Sequence, residues 1–351
     1  MSTTKVNARS DRGQTKIKPW VIGRALISLA ILIAILQNVE TESVVKLVLS
    51  VKMGWLLAAA AVAFLGRIFA AFRWYILLRG RNAHVTFYRV LNIVLISSFF
   101  GMLLPGAIGV ELLRVYGMSK ATADTALALS SVLVERLLAI LVLTLFSIGG
   151  LYLVTVELPA QLYLAVWTWL LLLLLMIVLL LHSLPRTLID KLLERPLLSR
   201  VRPPFTKLVR ALDDYRAQPK LLMISLLAAL LAALFRIVPT VLIARSLDIN
   251  ISIVYFAIFL PIVHLVVQIP ISLGGLGVRE TGFVFFMGLI GVSSENAFTL
   301  SIVVYALTLA TALPGAWLYA RQGLIVSHSQ SVSSASMAPK GTEGRPKSEK
   351  F

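Results

Sequence analysis

The stretch Ile271-Ser272-Leu273-Gly274-Gly275-Leu276-Gly277-Val278-Arg279-Glu280 interrupts one apolar segment. Leu104-Pro105-Gly106-Ala107-Ile108-Gly109-Val110-Glu111 interrupts another. Both place Gly-Val beside an acid in the middle of apolar sequence. Proline removes a backbone donor and glycine tolerates left-handed backbone. The spacing therefore predicts helices that break at Pro105, Gly106 and Gly109, and again at Gly274, Gly275 and Gly277. Unwound backbone at membrane depth survives only where protein or a water-filled cavity satisfies it. Paired broken helices entering from opposite faces are the pattern of transporters built from inverted repeats. The plainer alternative is two ordinary kinked helices.

The surrounding sequence supports a membrane setting. The chain has 351 residues, 58% of them hydrophobic and 14% charged. A soluble domain usually carries about 25% charge. So much apolar side chain cannot hide in one globular core, which argues against a water-soluble enzyme. The apolar blocks run near 20 residues, the length that crosses a bilayer. Full spans are expected at Trp20–Leu36, Gly54–Leu78, Thr125–Val156, Leu162–His182, Leu221–Ala244 and Asn296–Ala320. Residues 37–53, with Glu40 and Glu42, read as a short external link.

Net charge is +17. In a soluble protein that would suggest nucleic acid, but here the bases gather in the tails and one loop, as the positive-inside rule describes. No nucleic-acid partner is expected. Residues 1–18 form a basic cytoplasmic tail, 19–320 one transmembrane domain and 321–351 a disordered cytoplasmic tail. Within the domain, residues 184–220 form a basic cytoplasmic loop, in which Leu188, Leu192, Leu208 and Leu212 suggest surface-lying helices. Orientation closes if residues 87–120 and 252–293 are re-entrant hairpins from opposite faces. Six full spans then leave both termini and the basic loop inside. The expected fold is all-α and polytopic, with two opposed hairpins forming a pseudo-inverted repeat, in the inner membrane.

Charges inside the spans mark a site. Arg67 and Arg236 sit near the centres of their segments, Glu135 and Arg136 are mid-span, and Glu111, Arg114, Arg279 and Glu280 flank the breaks. An Arg at the bilayer centre costs at least about 2.5–3.5 kcal/mol, so these groups must face one another or a cavity. Glu135 and Arg136 lie about 100° apart on a helix and cannot be each other's main partner. The five Arg outnumber the three Glu, and the excess suits an anionic ligand such as a lipid phosphate. Arg136, Arg279 and Arg236 are the expected phosphate ligands, with Arg114 a further candidate; the plainer alternative has Arg114 and Arg279 snorkelling to the interface and the rest forming a structural ion network. Glu111, Glu135 and Glu280 would neutralise them in the empty site. Arg73, Arg79, Arg81 and Arg89 are read as interfacial, snorkelling residues.

Three motifs give the chain a familiar look. They are Arg73-Trp74-Tyr75-Ile76-Leu77-Leu78; Leu104-Pro105-Gly106 through Gly109 and Glu111–Arg114, followed by Val134-Glu135-Arg136-Leu137-Leu138; and Gly274-Gly275-Leu276-Gly277-Val278-Arg279-Glu280. Over residues 20–320 the sequence resembles the flippase-like family typified by the transmembrane domain of lysylphosphatidylglycerol synthase. The family commonly has the acid directly after the glycine, where Val110 intervenes here. It often has an Asp after Glu-Arg-Leu-Leu, where Ala139 stands here. The resemblance implies translocation of a lipid: an aminoacylated phospholipid, a hopanoid or a polyprenyl-linked sugar. The synthase's soluble aminoacyl-transferase domain is expected to have no counterpart, and lipid synthesis by that chemistry is not expected.

Other functions fit less well. Cysteine is absent, and His84, His182, His264 and His328 are not spaced for a metal; no cofactor is expected. His264 lies mid-span beside Pro261 and reads as structural, with a proton relay as the alternative. A membrane transferase acting on lipid-linked sugar would need interfacial carboxylates, and the external ones (Glu40, Glu42, Glu157, Asp248, Glu295) are few. A third reading is an accessory subunit that positions a cytoplasmic glycosyltransferase through the 184–220 loop.

Overall fold

The computed structural model describes residues 29–31, 33–34, 37, 39–103, 108–153, 159–181, 202–268, 272 and 275–336. Among these residues the regular structure is entirely helical. The helices are α1 (Thr41–Leu49), α2 (Met53–Gly80), α3 (Phe87–Leu103), α4 (Ile108–Thr122), α5 (Thr125–Leu153), α6 (Ala160–Leu181), α7 (Arg202–Arg216), α8 (Pro219–Ser246), α9 (Ile253–Gln268), α10 (Val278–Gly288) and α11 (Ser294–Ser336). Five of them contain stretches long and apolar enough to cross a bilayer: α2, α5, α8, residues Ala160–Val178 of α6 and residues Ser294–Arg321 of α11. Each of the 28-residue stretches is about 42 Å long at 1.5 Å per residue, enough for the hydrocarbon core and its interfaces. α6 exposes Leu164, Leu171, Leu172 and Leu175, the surface a lipid-facing helix presents. The chain is a multi-pass, all-α membrane protein. The span expected at Trp20–Leu36 lies largely outside the described residues, as do residues 1–18 and 337–351.

The two broken segments are helical hairpins. In the first, Gly101 of α3 lies against Val110 of α4, and Gly117 of α4 lies against Ile93 of α3. In the second, Val267 faces Gly275, Val263 faces Gly282, and the Tyr255 hydroxyl donates to the Phe286 carbonyl. Both pairings are antiparallel. A Cβ on Gly101 would stand 2.1 Å from Val110 Cγ2, so only glycine lets the first hairpin close. At the second turn Gly275 and Gly277 hold φ of +82° and +83°, which glycine adopts without a Cβ penalty. Gly109 differs from expectation: it sits in the first turn of α4 and is helical, because the helix has already restarted at Ile108. Pro105, Gly106 and Gly274 lie outside the described residues.

The hairpins enter from opposite ends of the bundle. α2 and α8 are antiparallel: the Lys52 amide donates to the Ser246 carbonyl at one end (3.0 Å), Gly66 meets Phe235 midway, and Gly80 meets Leu221 at the other end. The chain leaves α2 for the first hairpin at one end and leaves α8 for the second at the opposite end. The packing of the halves is reciprocal. α3 packs on α11 and α9 on α5, while α4 packs on α5 and α10 on α11. A long helix, a hairpin and a second long helix thus occur twice, in inverted orientation. The small helices share the relation, with α1 against α11 and α7 against α5.

Three further differences follow from packing. Residues Thr41–Leu49 of the expected link form α1, whose Val44 is buried near Phe298. α7 does not lie free on a surface. Its Leu212 and Tyr215 are buried with Leu77 and Val134, the Tyr215 hydroxyl donates to the Leu77 carbonyl (3.3 Å), and Arg81 pairs with Asp214. Burial holds the Tyr215 phenol well above its ordinary value, with the Arg81 charge acting the other way. Finally, α11 continues past Arg321 to Ser336, into the segment expected to be a disordered tail. Adding residues to an existing helix requires no new nucleus.

Candidate functional site

α2 carries Ala63, Gly66, Arg67, Ala70 and Arg73 at helical spacing, all on one face. The small residues let α8 approach closely, and the two guanidiniums reach the space beside it. α8 brings Arg236. Pro239, inside the same helix, removes the amide that would bond the Phe235 carbonyl. α9 adds His264, α10 adds Arg279, and α11 adds Tyr305, Thr308 and Thr311. With the hairpin-tip residues Gly101, Met102, Val110, Val267 and Gly275, these side chains enclose a cavity of about 520 Å³. Four Arg line it (Arg67, Arg73, Arg236 and Arg279), and no carboxylate does so among the described residues.

Two of these cations have neutral partners. Arg67 donates to the Thr308 carbonyl (2.7 Å) and to Thr311 Oγ1 (3.0 and 3.2 Å). Arg236 Nη1 lies 2.5 Å from His264 Nε2 and 3.2 Å from Nδ1. A guanidinium only donates, so the imidazole nitrogen facing it is an acceptor. Arg279 pairs with Glu280, stacks 4.2 Å from the Tyr305 ring centre and reaches Ser301 at 3.4 Å. Glu280 also accepts the Gly277 amide (2.7 Å) and so closes the first turn of α10. Adjacent residues can pair here because both lie in the first turn of α10, beside the turn at Gly275–Gly277.

Behind the cavity runs a charged chain that joins four helices. Glu135 of α5 is buried and pairs with both Arg73 of α2 and Arg114 of α4. Arg114 stacks 4.2 Å from the Trp74 ring centre and lies 3.4 Å from Glu111. Glu111 accepts from Arg136 (3.1 Å), whose other nitrogen bonds Gln268 of α9. Arg136 therefore ties the start of α4 to the end of α9, one side of each hairpin turn. Nε of Arg73 and Nε of Arg114 are buried and have no acceptor in the protein among the described residues.

Of the residues expected at the site, Arg236 and Arg279 line the cavity. Glu111, Glu135, Arg114 and Arg136 form the ion network behind it, and Glu280 anchors Arg279. Arg136 is not among the lining residues; Glu111 and Gln268 occupy its two terminal nitrogens. Arg73 is corrected. It does not snorkel to an interface but is buried against Glu135, because it lies two turns inside α2 on the Arg67 face. The α2 stripe of small residues and Arg is the signal that identifies both. Counting Arg73, six Arg (67, 73, 114, 136, 236 and 279) meet three Glu (111, 135 and 280). Of the acids read as external, Glu40 meets Ser43, Glu42 meets Lys46 and Asp248 meets Lys52. Glu157 lies outside the described residues.

Residues 20–315 match the family described as the lysylphosphatidylglycerol synthase TM region. A UPF0104 membrane protein of Pyrococcus horikoshii is 26% identical over 136 residues, which are 38% of this chain and 41% of that protein. The match thus spans less than half the length of that curated relative. No solved structure matches the chain.

Proposed function

This chain belongs to the lysylphosphatidylglycerol synthase TM region family, and on that premise we propose that it is a lipid translocase whose central cavity takes a phosphate-bearing head group. The observation that carries this is a cavity lined by four Arg and no carboxylate among the described residues. Arg67 and Arg236 have no acid within 4 Å there. Each unneutralised guanidinium at membrane depth costs about 2.5–3.5 kcal/mol or more. A bound phosphate would relieve that cost through bidentate, charge-assisted bonds. Aminoacylated phospholipids and polyprenyl-linked sugars supply such a phosphate; an uncharged hopanoid does not.

The mechanism is alternating access. Arg67, Arg236 and Arg279 hold the head group between the hairpins, and the lipid tail stays in the bilayer. Glu280 releases part of its hold on Arg279 as the phosphate arrives. Arg136 couples the two hairpin turns, so movement of one biases the other. The lipid leaves chemically unchanged, and no bond chemistry is assigned to the protein. The basic residues of 1–18 and 184–220 support a reading with both termini and that loop in the cytoplasm and the inner membrane as the site of action. In vesicles containing the purified chain, a head-group-labelled phosphatidylglycerol should equilibrate between leaflets faster than in empty vesicles. The Arg67→Gln/Arg236→Gln variant should lose that acceleration. Equal rates in the variant, or conversion of the lipid to a new product by the wild type, would overturn the proposal.

A further inference from the structure

A second cavity, of about 480 Å³, lies between α3, α4 and α11, and its lining shares no residue with the central one. It is two-ended. Arg89, at the start of α3, and Lys120, at the end of α4, share one end, because the hairpin is antiparallel. Phe100 and Tyr319 lie toward the other, their rings 4.7 Å apart and edge-on. Eleven residues of α3 separate Arg89 from Phe100, about 16 Å of helix. The same helix α4 turns Glu111 and Arg114 toward the ion network and Tyr116 and Lys120 toward this groove.

Ser97 in the groove donates to the Val94 carbonyl (3.1 Å), whereas Arg89, Asn92 and Lys120 are left for a ligand. Neither Arg89 nor Lys120 meets a carboxylate among the described residues, and the Lys120 ammonium rests 4.6 Å from the Tyr116 ring centre. Asn92 lines the groove midway and is 6% exposed, yet its side-chain amide has no hydrogen-bond partner among the described residues. Asn92 is buried as a residue while its amide opens onto the groove, where a ligand or solvent atom can satisfy it. An anionic head beside two bases, an ester at mid-length and a hydrocarbon chain beyond match the order of groups along the groove.

We infer that this groove is a binding site for one anionic phospholipid, separate from the translocation cavity. The phosphate sits between Arg89 and Lys120, the Asn92 amide donates to a glycerol-ester oxygen, and an acyl chain runs along the hairpin to Phe100 and Tyr319. A free inorganic anion would meet only the basic end and leave the apolar length empty.

Native mass spectrometry of the full chain, with phosphatidylglycerol and phosphatidylcholine of identical acyl chains added, tests this. The wild type should retain phosphatidylglycerol preferentially. Arg89→Gln/Lys120→Gln should weaken that retention about thirtyfold, as expected for two lost contacts between a base and an anionic lipid, and weaken phosphatidylcholine, whose choline offsets its phosphate, far less. Arg236→Gln, in the central cavity, should keep the groove lipid, so failure here and failure of the translocase reading are distinguishable. Phe100→benzoylphenylalanine should photocrosslink to lipid. Unchanged retention in the double variant, equal loss of both lipids, or a crosslink from position 100 to residues 20–36 of the same chain would overturn the assignment.

Discussion

Glu135 decides more than any other single side chain. It is 3% exposed and holds two guanidiniums, Arg73 and Arg114. Removing one partner of a buried pair leaves an uncompensated charge and costs about 3–5 kcal/mol. Glu135→Gln should therefore lower the melting temperature in detergent sharply and reduce the yield of monodisperse protein. Arg236→Gln should do the opposite or nothing, because it removes a cavity-lining charge with no carboxylate near it among the described residues. A larger fall for Arg236→Gln than for Glu135→Gln, measured in the same melting experiment, would contradict the division between ion network and cavity. The sequence reads Glu135 and Arg136 as neighbours about 100° apart that need partners from other helices, and in the structure each pairs with residues of other helices. It misreads Arg73, because distance along a helix does not tell which face a long side chain serves. The face is set by what packs beside it, and Ala63, Gly66 and Ala70 mark that face.

At the scale of helices, glycine positions separate close packing from permissive backbone. A Cβ on Gly315 of α11 would stand 2.1 Å from the Leu95 carbonyl oxygen of α3, a backbone atom that cannot move alone. Gly149 of α5 has nothing within 4 Å. Gly315→Ala should unpack α3 from α11 and lower the melting temperature. Gly149→Ala should leave it unchanged or raise stability by up to about 1 kcal/mol, the helix-propensity difference. Equal melting temperatures for the two variants would remove the α3–α11 contact from this account. At the second hairpin, Gly277→Ala forces a side chain to φ +83° and should cost about 1–2 kcal/mol, read as a lower melting midpoint. The broken segments are legible in the sequence because Pro and Gly at membrane depth have few other uses. Gly109 is not legible as a helical residue, since nothing local shows where α4 restarts. α1 and α7 are missed as docked helices because their apolar faces are short, and only neighbouring helices reveal what covers them.

Across the whole molecule, the inverted halves meet in one chain of contacts. Arg136 bonds Glu111 beside the first hairpin turn and Gln268 beside the second. Because Arg136 stands outside the cavity, Arg136→Gln should slow lipid transfer in vesicles by tenfold or more, about 1.4 kcal/mol of lost coupling. Protection of the Thr308→Cys thiol in the cavity by phosphatidylglycerol should stay near wild type in the same variant. Parallel loss of both would return Arg136 to the binding site. Five long apolar helices and two opposed hairpins were deducible from the apolar blocks and from where the bases fall, while the sixth expected span, Trp20–Leu36, lies largely outside the described residues. The reciprocal packing of α3 on α11 and α9 on α5 was not, because interhelical partners depend on shape over the full bundle.

The central claim is that the space between the hairpins is wet and positively charged. The chain has no cysteine, so one introduced thiol reports alone. Thr308→Cys places it beside Arg67 in the cavity wall, and Leu171→Cys on lipid-exposed α6 serves as control. Reaction rates with anionic and cationic methanethiosulfonates should show position 308 modified from water, faster by the anionic reagent, and position 171 unmodified. No reaction at position 308, or a preference there for the cationic reagent, would contradict a cavity built to receive phosphate.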